Sequence, residues 1–131
     1  MLGLLDRFRK KTKTDVETTK SISELEQLCG DDKETYEALI NTMFLDPTKI
    51  GTSMKAAAEN AKRYEKEKAF VRASAWYRIA GGLAIYEGNV KKVVEFFSER
   101  ERISGTKHLI LKNPEKAVAI AQEYYKRYLK A

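Results

Sequence analysis

Between residues 54 and 87, apolar and small residues recur every three to four positions in two successive runs, with polar side chains between them. That period predicts two amphipathic helices. The first is opened by Ser53 as its N-cap and places Met54, Ala57, Ala58, Ala61 and Tyr64 on one face. The second carries Phe70, Ala73, Trp76, Tyr77, Ala80, Leu83 and Ala84, the strongest 3.6-residue period in the chain. Gly81-Gly82 falls inside this stripe. Each glycine costs about 1 kcal/mol relative to alanine in a helix interior, so the pair predicts either a close helix contact or a kink. Gly88-Asn89 ends the helix, and Val90, Val93, Val94 and Phe97 begin another that runs to about Ile103.

The pattern continues on both sides of this hairpin. Ser21-Ile-Ser-Glu24 fits a capping box and opens a short helix ending at Gly30. Asp31 or Asp32 caps the next, whose stripe of Tyr36, Leu39, Ile40, Met43 and Phe44 is stopped by Asp46-Pro47. Ser104-Gly105-Thr106 is a break, and His108 to Leu111 is a short apolar run that fits a strand, a turn of helix or a packed loop. Asn113-Pro114 then supplies a cap with proline at the first helical position, ahead of a stripe of Ala117, Ala121, Tyr124 and Tyr128. The expectation is an all-α protein, an array of helical hairpins with about six helices. A short amphipathic segment precedes them. Residues 1–20 read as a basic arm and a threonine-rich linker over 12–19, and residues 21–131 as a single helical domain.

A chain of 131 residues is enough for one core, and 43% hydrophobic residues exclude wholesale disorder. No apolar run approaches the ~20 residues of a membrane span. Met1 to Phe8 lacks the apolar run and cleavage site of a signal peptide, which predicts a cytoplasmic protein. Cys29 stands alone and reads as a small apolar filler at a helix end. Charged residues make up 34% of the chain and glutamine occurs only at Gln27 and Gln122, a balance that suits a thermophile's protein. The net charge of +6 is unevenly spread: +3 over residues 1–20, −5 over 21–50 and +8 over 51–131. An acidic segment therefore lies between two basic ones.

Little in the chain points to chemistry. His108 is the only histidine and has no cysteine or second histidine near it in sequence, which makes a poor metal site. The glycines form neither phosphate-binding pattern. Carboxylates stand beside lysines, as in Glu65-Lys66-Glu67-Lys68 and Glu99-Arg100-Glu101-Arg102, the usual composition of a solvated helix face. The expectation is a protein that is not an enzyme, with no cofactor and no metal.

The spacing over residues 54–87 resembles the tetratricopeptide repeat family, which pairs two helices through small residues and aromatics. Ala57, Ala61 and Tyr64 occupy the first helix's positions, and Phe70, Ala73, Tyr77 and Ala80 the second's. Departures are Lys68 where the family has a turn glycine, and no closing proline near Ile85. A three-helix microtubule-interacting-and-transport domain has similar alanine and tyrosine spacing, and any closely packed bundle produces such stripes. The resemblance implies core anchors at Tyr64, Phe70, Trp76, Tyr77 and Phe97. It also implies a peptide-binding groove lined by Lys55, Lys62, Lys66, Asn89, Lys92, Phe96 and Arg100, with Ala58 and Glu65 beside them. A groove of that charge suits a protein partner with an acidic segment or a C-terminal carboxylate. The acidic residues 21–50 are candidates to fold over it, as packing or as a displaceable mask.

Two further partners follow from charge. Leu4, Leu5 and Phe8 beside Arg7, Arg9, Lys10 and Lys11 would let the arm lie weakly on an anionic membrane, peripheral at its inner surface. Clustered cations, among them Lys62, Arg63, Lys66 and Arg72, make a basic helical nucleic-acid-binding protein the alternative reading, although acids interleave them. An array with open ends also allows a homodimer.

Overall fold

The computed structural model describes residues 13–129. Among these residues the protein is all-α, with six helices and two short 3₁₀ turns. The helices are α1 (Lys13–Cys29), α2 (Lys33–Ile40), α3 (Met54–Lys66), α4 (Phe70–Glu87), α5 (Val90–Ser104) and α6 (Pro114–Tyr128). The 3₁₀ turns cover Pro47–Lys49 and Leu109–Lys112. The membrane-contact residues Leu4, Leu5, Arg7, Phe8, Arg9, Lys10 and Lys11 lie outside the described residues.

Most boundaries follow from capping chemistry. Asp32, Ser53, Asn89 and Asn113 each accept a hydrogen bond from a backbone N–H in the first turn of the helix they open. Gly88 closes α4 in the left-handed region at φ 71°, and Asn89 N–H reaches back to the Ala84 carbonyl at 2.9 Å. The same wrapped turn closes α3, where Ala69 N–H bonds the Tyr64 carbonyl at 2.9 Å. There the left-handed position, φ 59°, is held by Lys68.

Helix α4 is the centre of the molecule. It packs along α3 on one side and α5 on another, and also meets α6 and the first 3₁₀ turn. Helix α6 in turn rests on α1, α2, α4 and α5. Ala57, Ala61, Ala73, Ala80 and Ala84 are buried where α3 and α4 meet the core, and Tyr77, Phe96 and Phe97 fill the space around them. The glycine pair makes close contacts. A Cβ on Gly81 would lie 2.6 Å from the Phe97 ring, and one on Gly82 would lie 2.5 Å from the Phe44 ring. Gln122 on α6 donates to the carbonyls of Ile85 and Tyr86 at 2.7 and 2.8 Å, joining α6 to the end of α4.

Several expectations are corrected. Residues 13–19 belong to α1, so the helix starts well before Ser21, and Ser21–Glu24 lie in its interior. Residues 12–19 contain no glycine or proline to break a helix, and Leu25 and Cys29 bury the far end of α1 in the core. Helix α2 stops at Ile40 rather than at Asp46, and residues 41–46 leave it to reach α4 and α6, where the Phe44 carbonyl accepts from the Tyr125 hydroxyl at 2.5 Å. Of the anchors, Tyr77 and Phe97 are buried, Trp76 and Tyr64 are half-buried, and Phe70 is 49% exposed. Phe70 is the first residue of α4, past the reach of the core beneath it.

The acidic segment does not fold over the expected groove. Helices α1 and α2 pack on each other, on α6 and, for α2, on the second 3₁₀ turn. Asp32 pairs with Lys116, and Glu34 lies 3.9 Å from Lys112. Lys116 and the Thr35 hydroxyl and N–H hold the Asp32 carboxyl well below the usual carboxylate range. Two carboxylates of residues 21–50 are therefore met by Lys112 in the second 3₁₀ turn and by Lys116 in α6, away from the expected groove.

Candidate functional site

Helices α3 and α5 both lie against α4, and their N-terminal halves flank a cleft of about 300 Å³. Lys55, Ala58 and Lys62 line it from α3, and Lys92 and Phe96 from α5. The three- and four-residue spacing keeps each set on one helix face. Four of the expected groove residues are thus brought together: Lys55, Lys62, Lys92 and Phe96. Phe96 is only 2% exposed, with its ring 6.4 Å from that of Tyr77, so it forms floor rather than a projecting contact. Lys66 lines a neighbouring depression with Lys62 and Glu65.

Two carboxylates temper the charge, since Glu59 and Glu95 also line the cleft. Lys92 Nζ lies 3.2 Å from Glu95 and 5.8 Å from the centre of the Phe96 ring. Lys55, Lys62 and Lys66 are exposed and have no ion pair among the described residues. Beyond Lys62 the two helices are bridged. Arg102 Nη2 lies 2.5 Å from both Glu65 and Glu99, and the Tyr77 hydroxyl donates to Glu65 at 3.1 Å. Arg102 holds the Glu65 carboxyl below its ordinary range, and burial followed by the Glu65 bond pushes Tyr77 up to about 12. This bridge ties α3 to α5 and leaves the cleft open at the N-terminal ends of both helices.

Asn89 and Arg100 play other parts. Asn89 Oδ1 accepts from Lys92 N–H at 3.1 Å and is engaged as the cap of α5. Arg100 turns away from α3: its Nε donates to Ser74 Oγ at 3.2 Å and its Nη1 meets His108 Nε2 at 3.4 Å. Residues 92, 96 and 100 advance by about 40° per step on a helix, so Arg100 stands roughly 80° round from Lys92. The four-residue row drifts off the cleft on one side, whereas Glu95 lines it and Arg102, rotated the other way with Glu99, reaches Glu65 on α3.

Arg63 and Arg72 stack over the Tyr64 ring at 4.8 and 5.7 Å, and Arg63 also pairs with Glu67 at 3.9 Å. Two cations of the nucleic-acid reading are therefore engaged within the chain. Among the described residues, no group of three or more His, Cys, Asp or Glu side chains is placed to hold a metal ion, and no helix is long and apolar enough to cross a membrane. No known protein family, curated protein or solved structure matches the chain, so any reading of the cleft rests on its own geometry.

Proposed function

We propose that this chain is a non-enzymatic protein-binding adaptor. In this reading it is a short tetratricopeptide-like helical array that holds an acidic segment of a partner protein in the α3–α5 cleft. The observation that carries the reading is the convergence of Lys55, Lys62 and Lys92 on one cleft floored by Ala58 and Phe96, with Lys66 next to it. Three of these four lysines have no ion pair among the described residues, so their charge is available to a ligand. The matching wrapped turns after α3 and α4 support a hairpin array.

Exposed lysines are compact, strongly hydrated charges, each contributing well under 1 kcal/mol to an ion pair, so binding rests on several acting together and weakens with salt. The test is fluorescence anisotropy with a labelled peptide containing consecutive glutamates, titrated with the wild-type protein and with Lys62→Glu/Lys92→Glu. Saturable binding that falls at least tenfold in the variant and declines with salt supports the adaptor. Equal binding by both proteins removes the cleft from the account.

A further inference from the structure

A second cavity, of about 480 Å³, opens on another face of α4. It is lined by Phe70, Val71, Ser74 and Ala75 from α4 and by Arg100 and Ile103 from α5. Its rim is apolar and wet. Val71 is 86% exposed and Phe70 is 49% exposed, an expensive way to start a helix unless something covers them. Its base is cationic. The only hydrogen-bond partners of the Arg100 side chain among the described residues are Ser74 and His108, both buried and neither one anionic.

The charge around Arg100 is uncompensated. Arg78, half-buried itself, lies over the Phe44 ring at 5.0 Å and repels both Arg100 and His108. Burial, then Arg78, pushes the Arg100 guanidinium down, and burial does the same to Arg78. Neither arginine has a carboxylate partner among the described residues; Arg63, Arg102 and Arg127 have one, and Arg72, which also has none, is exposed to solvent over the Tyr64 ring. The acid next in sequence, Glu101, faces elsewhere: one oxygen accepts from His108 N–H at 2.6 Å and the other lies 3.9 Å from Lys107. A partly desolvated cation without a counter-charge is costly, and an incoming anion relieves that cost.

We infer that this pocket binds the C-terminal carboxylate of a peptide whose last side chain is apolar. Arg100 holds the carboxylate, and Phe70, Val71 and Ile103 cover the side chain. A guanidinium has five N–H donors, and Ser74 and His108 take two, so Nη2 and the remaining Nη1 proton present a fork to a carboxylate. One apolar side chain fills a pocket this open, while a long acyl chain would stay largely in water. The site is separate from the α3–α5 cleft, and its fate does not depend on that reading.

The test is an NMR titration of the full chain with acetyl-Ser-Gly-Leu as the free acid, as the C-terminal amide, and with dodecanoate as a free fatty acid. The expected result is saturable shifts of the Arg100 Nε and of the Val71 and Ile103 methyls with the acid, and at least tenfold weaker binding of the amide. Arg100→Gln should lose the acid-over-amide preference. Val71→Asp, a change at an exposed position that leaves the fold intact, should weaken the acid at least tenfold by placing a like charge at the rim. Equal affinity for acid and amide, unchanged binding by Arg100→Gln, shifts confined to Lys55, Lys62 and Lys92, or tighter binding of dodecanoate than of the peptide would each overturn the proposal.

Discussion

Replacing Gly81 with alanine measures how closely α5 approaches α4. A Cβ there would stand 2.6, 2.7 and 3.0 Å from three carbons of the Phe97 ring. Phe97 is fully buried and its ring centre is 5.3 Å from that of His108, so it has little room to retreat. Overpacking of this kind costs about 1–3 kcal/mol. The substitution also gains about 1 kcal/mol, because alanine suits a helix interior better than glycine. With three ring atoms involved the cost falls in the upper half of its range, and the net destabilisation is about 1–2 kcal/mol. For a chain of this size that is a drop in Tm of roughly 4–8 °C. Urea unfolding followed by the fluorescence of Trp76, the only tryptophan, measures it directly. Repeating the change in a Phe97→Leu background should shrink the penalty to below about 0.5 kcal/mol, since the ring that clashes is gone. Gly51→Ala, where a Cβ would meet nothing within 4 Å, serves as the control. A Gly81→Ala protein that is more stable than wild type by about 1 kcal/mol would refute the packing described for α4 and α5.

Two further outcomes follow from the same structure. Lys68→Gly removes the strain of a side chain at φ 59° and should stabilise the protein by about 0.5–1 kcal/mol in the same unfolding assay; destabilisation would mean that the turn is not left-handed. Arg100 Nη1 can only donate, so its 3.4 Å contact with His108 Nε2 fits a neutral ring that carries its proton on Nδ1. Burial, then the charges of Arg100 and Arg78, lowers its pKa against the opposing pull of Glu101. The unfolded chain therefore takes up this proton first as pH falls. The associated stability is complete above about pH 6.5 and is lost as pH drops toward the folded-state value. His108→Gln should flatten the stability curve between about pH 7 and pH 5; an unchanged slope would contradict the buried neutral ring.

How much of this was legible in the chain depends on the kind of signal. Ser53, Gly88-Asn89 and Asn113-Pro114 announce helix ends because capping is local chemistry: α3, α5 and α6 start, and α4 stops, where those residues put them. The glycine pair likewise announced a close approach or a kink, although only tertiary structure shows that Phe97 and Phe44 are the neighbours. Residues 12–19 were misleading because a helix held by its far end needs no apolar period at its near end. Phe70 shares a stripe with Ala73 and Tyr77 but lies at the helix start, where it is half exposed, and sequence spacing carries no information about where a core stops. Lys55, Lys62 and Lys92 meet as the helical period suggests. Arg100 does not, because a row of fourth residues rotates round the helix. The pocket at its new position combines α4 and α5 residues some 26 positions apart, Ser74 and Arg100, a pairing no local pattern displays.

The α3–α5 cleft as a protein-binding surface is tested most directly by capture from native lysate at moderate salt, with and without nuclease, with the wild-type chain and Lys62→Glu/Lys92→Glu side by side. Defined proteins retained by the wild type and lost by the variant are the predicted result, and they would identify the partner. Bound material that disappears on nuclease treatment, or proteins held equally by both forms, would contradict it.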